Sequence, residues 1–244
     1  MKYKIYCFTI ILAFCCIGCH SVKINKEVMH TAAKNPVALG VIGLHEEDVY
    51  SSEFQVLAIP EYKKLVRVNS TSVDFNKMTF NTYLKADKDN SQGIKYVDSL
   101  ESKPRFLTLE ILDRVGTIEE LQKDYNVQTL TYLKSQKEAA IVTLVSLALP
   151  KVLIQEINNA EAIFLSDSSY KQYQISLVKE GKLYKTISFA ETTIFAYELS
   201  FFCWGENDRK QIKMVDIIDE KTSCSKNAYR DAEKAKGKMN YFKL

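Results

Sequence analysis

Tyr173–Phe189 reads YQISLVKEGKLYKTISF, and its pattern decides the fold class. Tyr173, Ile175 and Leu177 alternate with polar neighbours, the period of a strand with one face buried. Lys179-Glu180-Gly181-Lys182 makes a turn in which Gly181 is free to take positive φ. Leu183 to Phe189 returns. Downstream, Thr193–Cys203 sets Phe195, Tyr197, Leu199 and Phe201 on one face, Gly205–Asp208 turns, and Gln211–Asp219 supplies a fourth strand. Four consecutive strands joined by short turns predict a C-terminal meander.

Working upstream, Ala139–Leu149 (AAIVTLVSLAL) is the most apolar stretch. Rich in β-branched residues and stopped by Pro150, it reads as a buried central strand. Phe106–Leu112 and Phe54–Ile59 read as further strands, as do the shorter Val37–Leu44, Leu65–Val68 and Ala162–Leu165. Thr117-Ile118-Glu119-Glu120 predicts a helix start, with Thr117 as N-cap and Glu120 closing a capping box. Leu130 and Leu133 suggest a second short helix. Pro150 opens a third, with Val152, Leu153 and Ile157 inward. Ala228–Lys238 reads as a last helix. Eight Gly and four Pro leave no internal linker. The prediction is an α+β fold: a single domain over residues 37–244, with a mostly antiparallel sheet and a few short helices.

The N-terminus has a different character. Met1-Lys2-Tyr3-Lys4 is basic, Ile5 to Cys16 is almost continuously apolar, and Ile17-Gly18-Cys19 follows. Twelve apolar residues fall short of the roughly 20 that span a bilayer. The segment resembles the signal of bacterial lipoproteins: basic start, apolar run, small residue at the cut, Cys directly after it. That resemblance implies a signal peptide over residues 1–18 and a mature chain beginning at Cys19, acylated and inserted in a lipid bilayer. Polar residues 20–36 read as the tether of an anchored globule. His20 stands directly after Cys19, and no acidic cluster follows. By the sorting habits of that class, the location is the cell envelope, at the outer membrane facing the periplasm.

Composition narrows the function. Lys2 and Lys4 leave with the signal, so 31 Lys and Arg face 30 Asp and Glu in the mature chain. A net charge of +1 creates no field for polyanions, which argues against nucleic acid. The C-terminal residues 225–244 carry a local basic excess and read as a solvated end. With the signal removed and Cys19 acylated, Cys203 and Cys224 remain, a candidate disulfide in an exported protein. If Thr193–Trp204 and Gln211–Asp219 pair from their shared turn, Cys224 lies about 27 Å from Cys203, at roughly 3.4 Å per residue. Five residues after Asp219 reach back only about 17 Å. A bond therefore needs a shorter second strand or another partner strand.

No nucleophile, dinucleotide or phosphate-loop motif is present, and the three histidines, His20, His30 and His45, all lie near the N-terminus. The first two read as part of the tether, which leaves most of the core without the commonest general base. Ala86–Gly93 (ADKDNSQG) lacks the closing Glu of a calcium loop, so no metal and no cofactor are predicted. Asp113, Glu198 and Asp216 are acids in or beside strands. The loop Trp204-Gly205-Glu206-Asn207-Asp208-Arg209 is the candidate ligand site, with Trp204 to stack and Glu206, Asn207 and Arg209 to hydrogen-bond. The expected role is structural or partner-binding, with an envelope protein as partner and no catalysis. The alternatives are an envelope hydrolase using a carboxylate pair, and a lipoprotein binding a small ligand.

Overall fold

The computed structural model describes residues 21–32, 37–47, 52–87, 92–99, 103–168, 172–207 and 209–240. The signal segment, Cys19 and Asp208 lie outside them, as do residues 88–91 of the ADKDNSQG stretch.

Burial on both faces selects the centre of the sheet. β7 (Ala139–Ala148) is buried at nine of its ten positions. β11 (Thr193–Glu206) is nearly as fully buried, and the two pair over most of the length of β7. β6 (Arg105–Ile111) joins β7, and β5 (Val66–Asp74) joins β6. Next come β8 (Ala162–Asp167), β9 (Tyr173–Lys179) and the edge strand β10 (Lys182–Ser188). On the far side of β11 lie the hairpin β1–β2 (Ser21–Ile24, Glu27–Thr31) and, further along the same strand, β12 (Ile212–Asp219). The hairpin β3–β4 (Ile42–Glu47, Ser52–Ala58) continues from the start of β7. Every pairing is antiparallel, and strand outweighs helix by 45% to 24%, a mixed α+β fold that is predominantly β.

The predicted meander is two hairpins at opposite ends of this sheet. β9–β10 turns through Glu180 and Gly181, both at positive φ, and stays together. β11 does not pair with β10. Most of β10 faces solvent, whereas β11 carries apolar side chains on both faces and needs neighbours that cover both. The buried ring of Phe189, in a 3-10 turn after β10, marks where the chain leaves that edge.

The two faces of the sheet bury separate cores, which follows from the two-residue period of its strands. Leu107, Leu109, Val145, Leu147 and Tyr197 point into the larger core. Phe106 and Ala148 point the other way, into an aromatic cluster with Phe75, Tyr83, Val22, Ile24 and Met29. Phe195, expected to share a face with Tyr197, Leu199 and Phe201, joins that cluster because a bulge between Ile194 and Ala196 breaks the alternation of β11. Val22, Ile24 and Met29 show that residues 21–31 are no tether. They form β1–β2, turning at Asn25 (φ 55°), and bury those three side chains at 3% exposure or less. Each such burial is worth about 1.5–3 kcal/mol, more than a solvated linker could recover.

Among the described residues five α-helices pack around the sheet. α1 (Lys77–Ala86) was not foreseen; Asn76 and Thr79 exchange hydrogen bonds in a capping box. α2 (Arg114–Leu121) begins four residues earlier than predicted, because Asp113 caps it by accepting from Gly116 N–H. Thr117 and Glu120 are thereby interior and buried. α3 spans Val127–Ser135 and α4 Lys151–Asn158, with Pro150 as N-cap. In α4, Ile154 and Ile157 face inward, whereas Val152, expected to do so, is 64% exposed. α5 covers Ala232–Asn240. Among the described residues, no helix is long and apolar enough to cross a membrane.

Candidate functional site

The loop selected from sequence does not assemble into a binding face. Trp204 is 1% exposed, and its backbone exchanges hydrogen bonds with Tyr229 at 2.7 and 2.9 Å. Its indole is a core group and offers solvent no surface for stacking. Asn207 spends its side-chain oxygen on the turn itself, accepting from the N–H groups of Arg209 and Gln211. Glu206 and Arg209 project from the exposed turn.

Cys203 and Cys224 are joined by a disulfide, with Cα atoms 5.7 Å apart. The distance objection from sequence assumed that β12 continues straight away from Cys203. Instead, a bulge sets Cys203 opposite Asp216, and β12 ends opposite Ser200. The chain then crosses a face of β11, because Tyr229 bonds Trp204 from the edge opposite β12. Cys224 lies on this crossing.

The crossing also creates a site that the sequence did not suggest. Glu220 stands at its start, where it meets His30 of β2 and His45 of β3. His30 Nε2 lies 3.3 Å from one Glu220 oxygen and His45 Nε2 lies 3.6 Å from the other. One ligand atom from each residue fits within 4.8 Å of the other two. The imidazole rings meet edge-on at 4.9 Å. Tyr197, opposite His30 in the β2–β11 register, stacks on His30 and packs against Phe54 from β4. That aromatic column holds the β3–β4 hairpin against β11 and brings His45 to His30. His45 is 8% exposed.

The Glu220 turn is held from several directions. Arg230 donates to the Glu220 and Thr222 carbonyls while its guanidinium covers the Phe201 ring. Arg114 donates to the Asp219 carboxylate at 2.6 Å and to the Ile217 carbonyl. Hydrogen bonding from His30 holds the Glu220 carboxyl below its ordinary range, outweighing partial burial.

Beside this cluster is a cavity of about 190 Å³. Its lining includes His30 and Glu220, the acids Glu27, Glu198 and Asp219, and the cation Lys221. Partial burial, then the charges of Glu27, Asp219 and Glu110, push Glu198 up to about 7. Of the other two acids noted in the sequence, Asp113 is a helix cap and Asp216 accepts from the neighbouring Ile217 N–H.

A second polar cluster surrounds Glu120, whose Oε1, like Oδ1 of Asp167, is buried with no hydrogen-bond partner among the described residues. Glu120, 1% exposed, accepts from Tyr125 Oη at 2.6 Å and from Lys64 N–H at 3.0 Å. These bonds outweigh burial and hold its carboxyl below the ordinary range. Asn126 pairs with the Glu61 backbone in both directions and donates to the Glu120 carbonyl. Asp167 accepts from Tyr62 N–H, and Tyr62 and Tyr173 donate to the Gly40 and Pro60 carbonyls. All these bonds serve the irregular chain between β4 and β5.

Elsewhere, a larger cleft of about 660 Å³ opens between the ends of β5 and β6 and helix α4. Among the described residues Lys95, Lys103, Arg105 and Lys151 line it with the acid Asp74, which pairs with Arg105 at 2.8 Å, over a floor that includes Leu149 and Ile154. Comparison of the chain with known protein families, curated proteins and solved structures finds no match.

Proposed function

We propose that this protein is a lipid-anchored component of the cell envelope, at the outer membrane facing the periplasm, with a non-catalytic role in holding an anionic partner. The anchor is the acylated Cys19, and β1 at Ser21 begins two residues after it. On this reading the sheet sits close to the bilayer, without a long leash. The observation that supports binding is the basic cleft: among the described residues Lys95, Lys103 and Lys151, beside the Arg105–Asp74 pair and above an apolar floor, suit an acidic protein segment. Two measurements test this. Labelling cells with an alkyne fatty acid should mark wild type in the membrane fraction and leave Cys19→Ala unlabelled and soluble; an unlabelled wild type would remove the anchor. A photo-crosslinker at position 151 should capture one envelope protein, and K103E should abolish the capture. Capture unaffected by K103E would remove the cleft.

A carboxylate-based hydrolase is the second reading. Glu198, with its proton held to about pH 7 beside other acids in a cavity, has the property a general acid needs. Hydrolysis of envelope glycan or peptide by the wild type, lost in Glu198→Gln, would support it. No turnover by the wild type would exclude it.

A further inference from the structure

We infer that His30, His45 and Glu220 form a binding site for a divalent transition-metal ion of the zinc type. Two of the chain's three histidines, 15 residues apart in sequence, converge on a carboxylate from the far end of the chain. Three different segments supply them: β2, the β3–β4 hairpin and the crossing after β12. A solvated ion pair needs no such convergence.

The distances suit a small ion. Tetrahedral zinc with bonds of about 2.0–2.1 Å holds its ligand atoms roughly 3.4 Å apart. The nitrogen–oxygen separations are 3.3 and 3.6 Å, each to a different Glu220 oxygen, and one ligand atom from each residue lies within 4.8 Å of the other two, so an ion draws the three together by a small side-chain adjustment. Two imidazoles and a carboxylate are a ligand set suited to zinc and its neighbours rather than to calcium or magnesium, which take oxygen.

The surroundings favour a cation. Glu27, Glu198 and Asp219 line the adjoining cavity against Lys221. Three protein ligands leave a fourth position, and the cavity on the His30 and Glu220 side has room for a water or an oxygen-donor ligand there. The Tyr197 stack orients His30, and the Arg230 clamp with the disulfide positions Glu220. This inference is independent of the acyl anchor and of the basic cleft.

The test uses full-length protein extracted from membranes, titrated with Zn2+ against a chromophoric chelator and with Co2+ by visible absorption. The expected result is one ion per chain, with Co2+ bands of tetrahedral intensity. Cysteine ligation would add a sulfur-to-cobalt charge-transfer band, and none is expected. His30→Gln, His45→Gln and Glu220→Gln should each weaken binding tenfold or more. Circular dichroism of the metal-free variants should match wild type. Failure of the wild type to compete with the chelator would overturn the site. So would unchanged affinity in all three variants, or a cobalt spectrum dominated by sulfur.

Discussion

Glu120 and Glu220 sit in opposite kinds of polar cluster. Glu120 is sealed at 1% exposure, and its bonds come from a backbone N–H and a tyrosine hydroxyl. Those bonds fall on Oε2 and carry an irregular segment through the interior, where unpaired backbone groups would be costly, while Oε1 is buried with no hydrogen-bond partner among the described residues. Glu220 is partly exposed beside a cavity, and its partners are two imidazoles that can exchange it for a cation. Both are carboxylates held in the charged form, so charge state alone does not separate architecture from function. The identity of the donors does.

Glu120→Ala should be the most damaging change. It removes the acceptor of Lys64 N–H and Tyr125 Oη inside a buried cluster, and urea unfolding should show a loss of about 4 kcal/mol. A loss under 1 kcal/mol would mean that the cluster is not structural. Breaking the disulfide comes next. A loop of this length contributes about 3 kcal/mol, so Cys203→Ser/Cys224→Ser should lose about that much. It should also weaken zinc binding by loosening the Glu220 turn, which Glu120→Gln should not do if folded protein is compared.

Zinc itself supplies the third contrast. At a hundredfold excess over its Kd, a native-state ligand adds about 2.7 kcal/mol of stability. Thermal melts should show that gain in wild type and in Glu120→Gln, and its absence in His45→Ala. Equal gains in all three proteins would erase the distinction between the clusters.

The smallest effect is a pH dependence. Glu198 has its folded pKa raised from 4.5 to about 7, facing Glu27, Asp219 and Glu110 with Lys221 opposing. Between those values the folded state binds more protons than the unfolded one, so this residue makes stability fall as pH rises through the window. Solvent screening limits the effect to on the order of 1 kcal/mol. Metal-free Glu198→Gln should therefore be more stable than wild type at pH 8 and little different at pH 4. A flat difference across that range would contradict the raised pKa.

The sheet was legible wherever a single strand carried its own signature. Ala139–Leu149 announced the central strand by apolar length, and Tyr173–Phe189 its hairpin by alternation and Gly181. Strand order was not legible. Whether β11 pairs with β10 or with β7 depends on which surfaces need cover from elsewhere in the chain, and nothing in a local turn records it. β1–β2 was missed because strands of four and five residues give period-two alternation too little length to stand out from a polar linker. That omission concealed the site, since it left His30 in solvent and His45 without a companion. Trp204 attracted notice through its polar neighbours, yet those neighbours make a turn and the ring fills the core. Glu220 carried no local signal. Its role arises from a chain crossing that pairs residues about 190 positions apart.

X-ray absorption at the zinc edge of the loaded protein tests most directly whether the Glu220 cluster binds metal while the Glu120 cluster only supports the fold. The expected spectrum has nitrogen and oxygen neighbours at about 2.0–2.1 Å and the outer-shell scattering of two imidazoles, reduced to one in His30→Gln. A spectrum without imidazole scattering, or with a sulfur shell, would contradict the assignment.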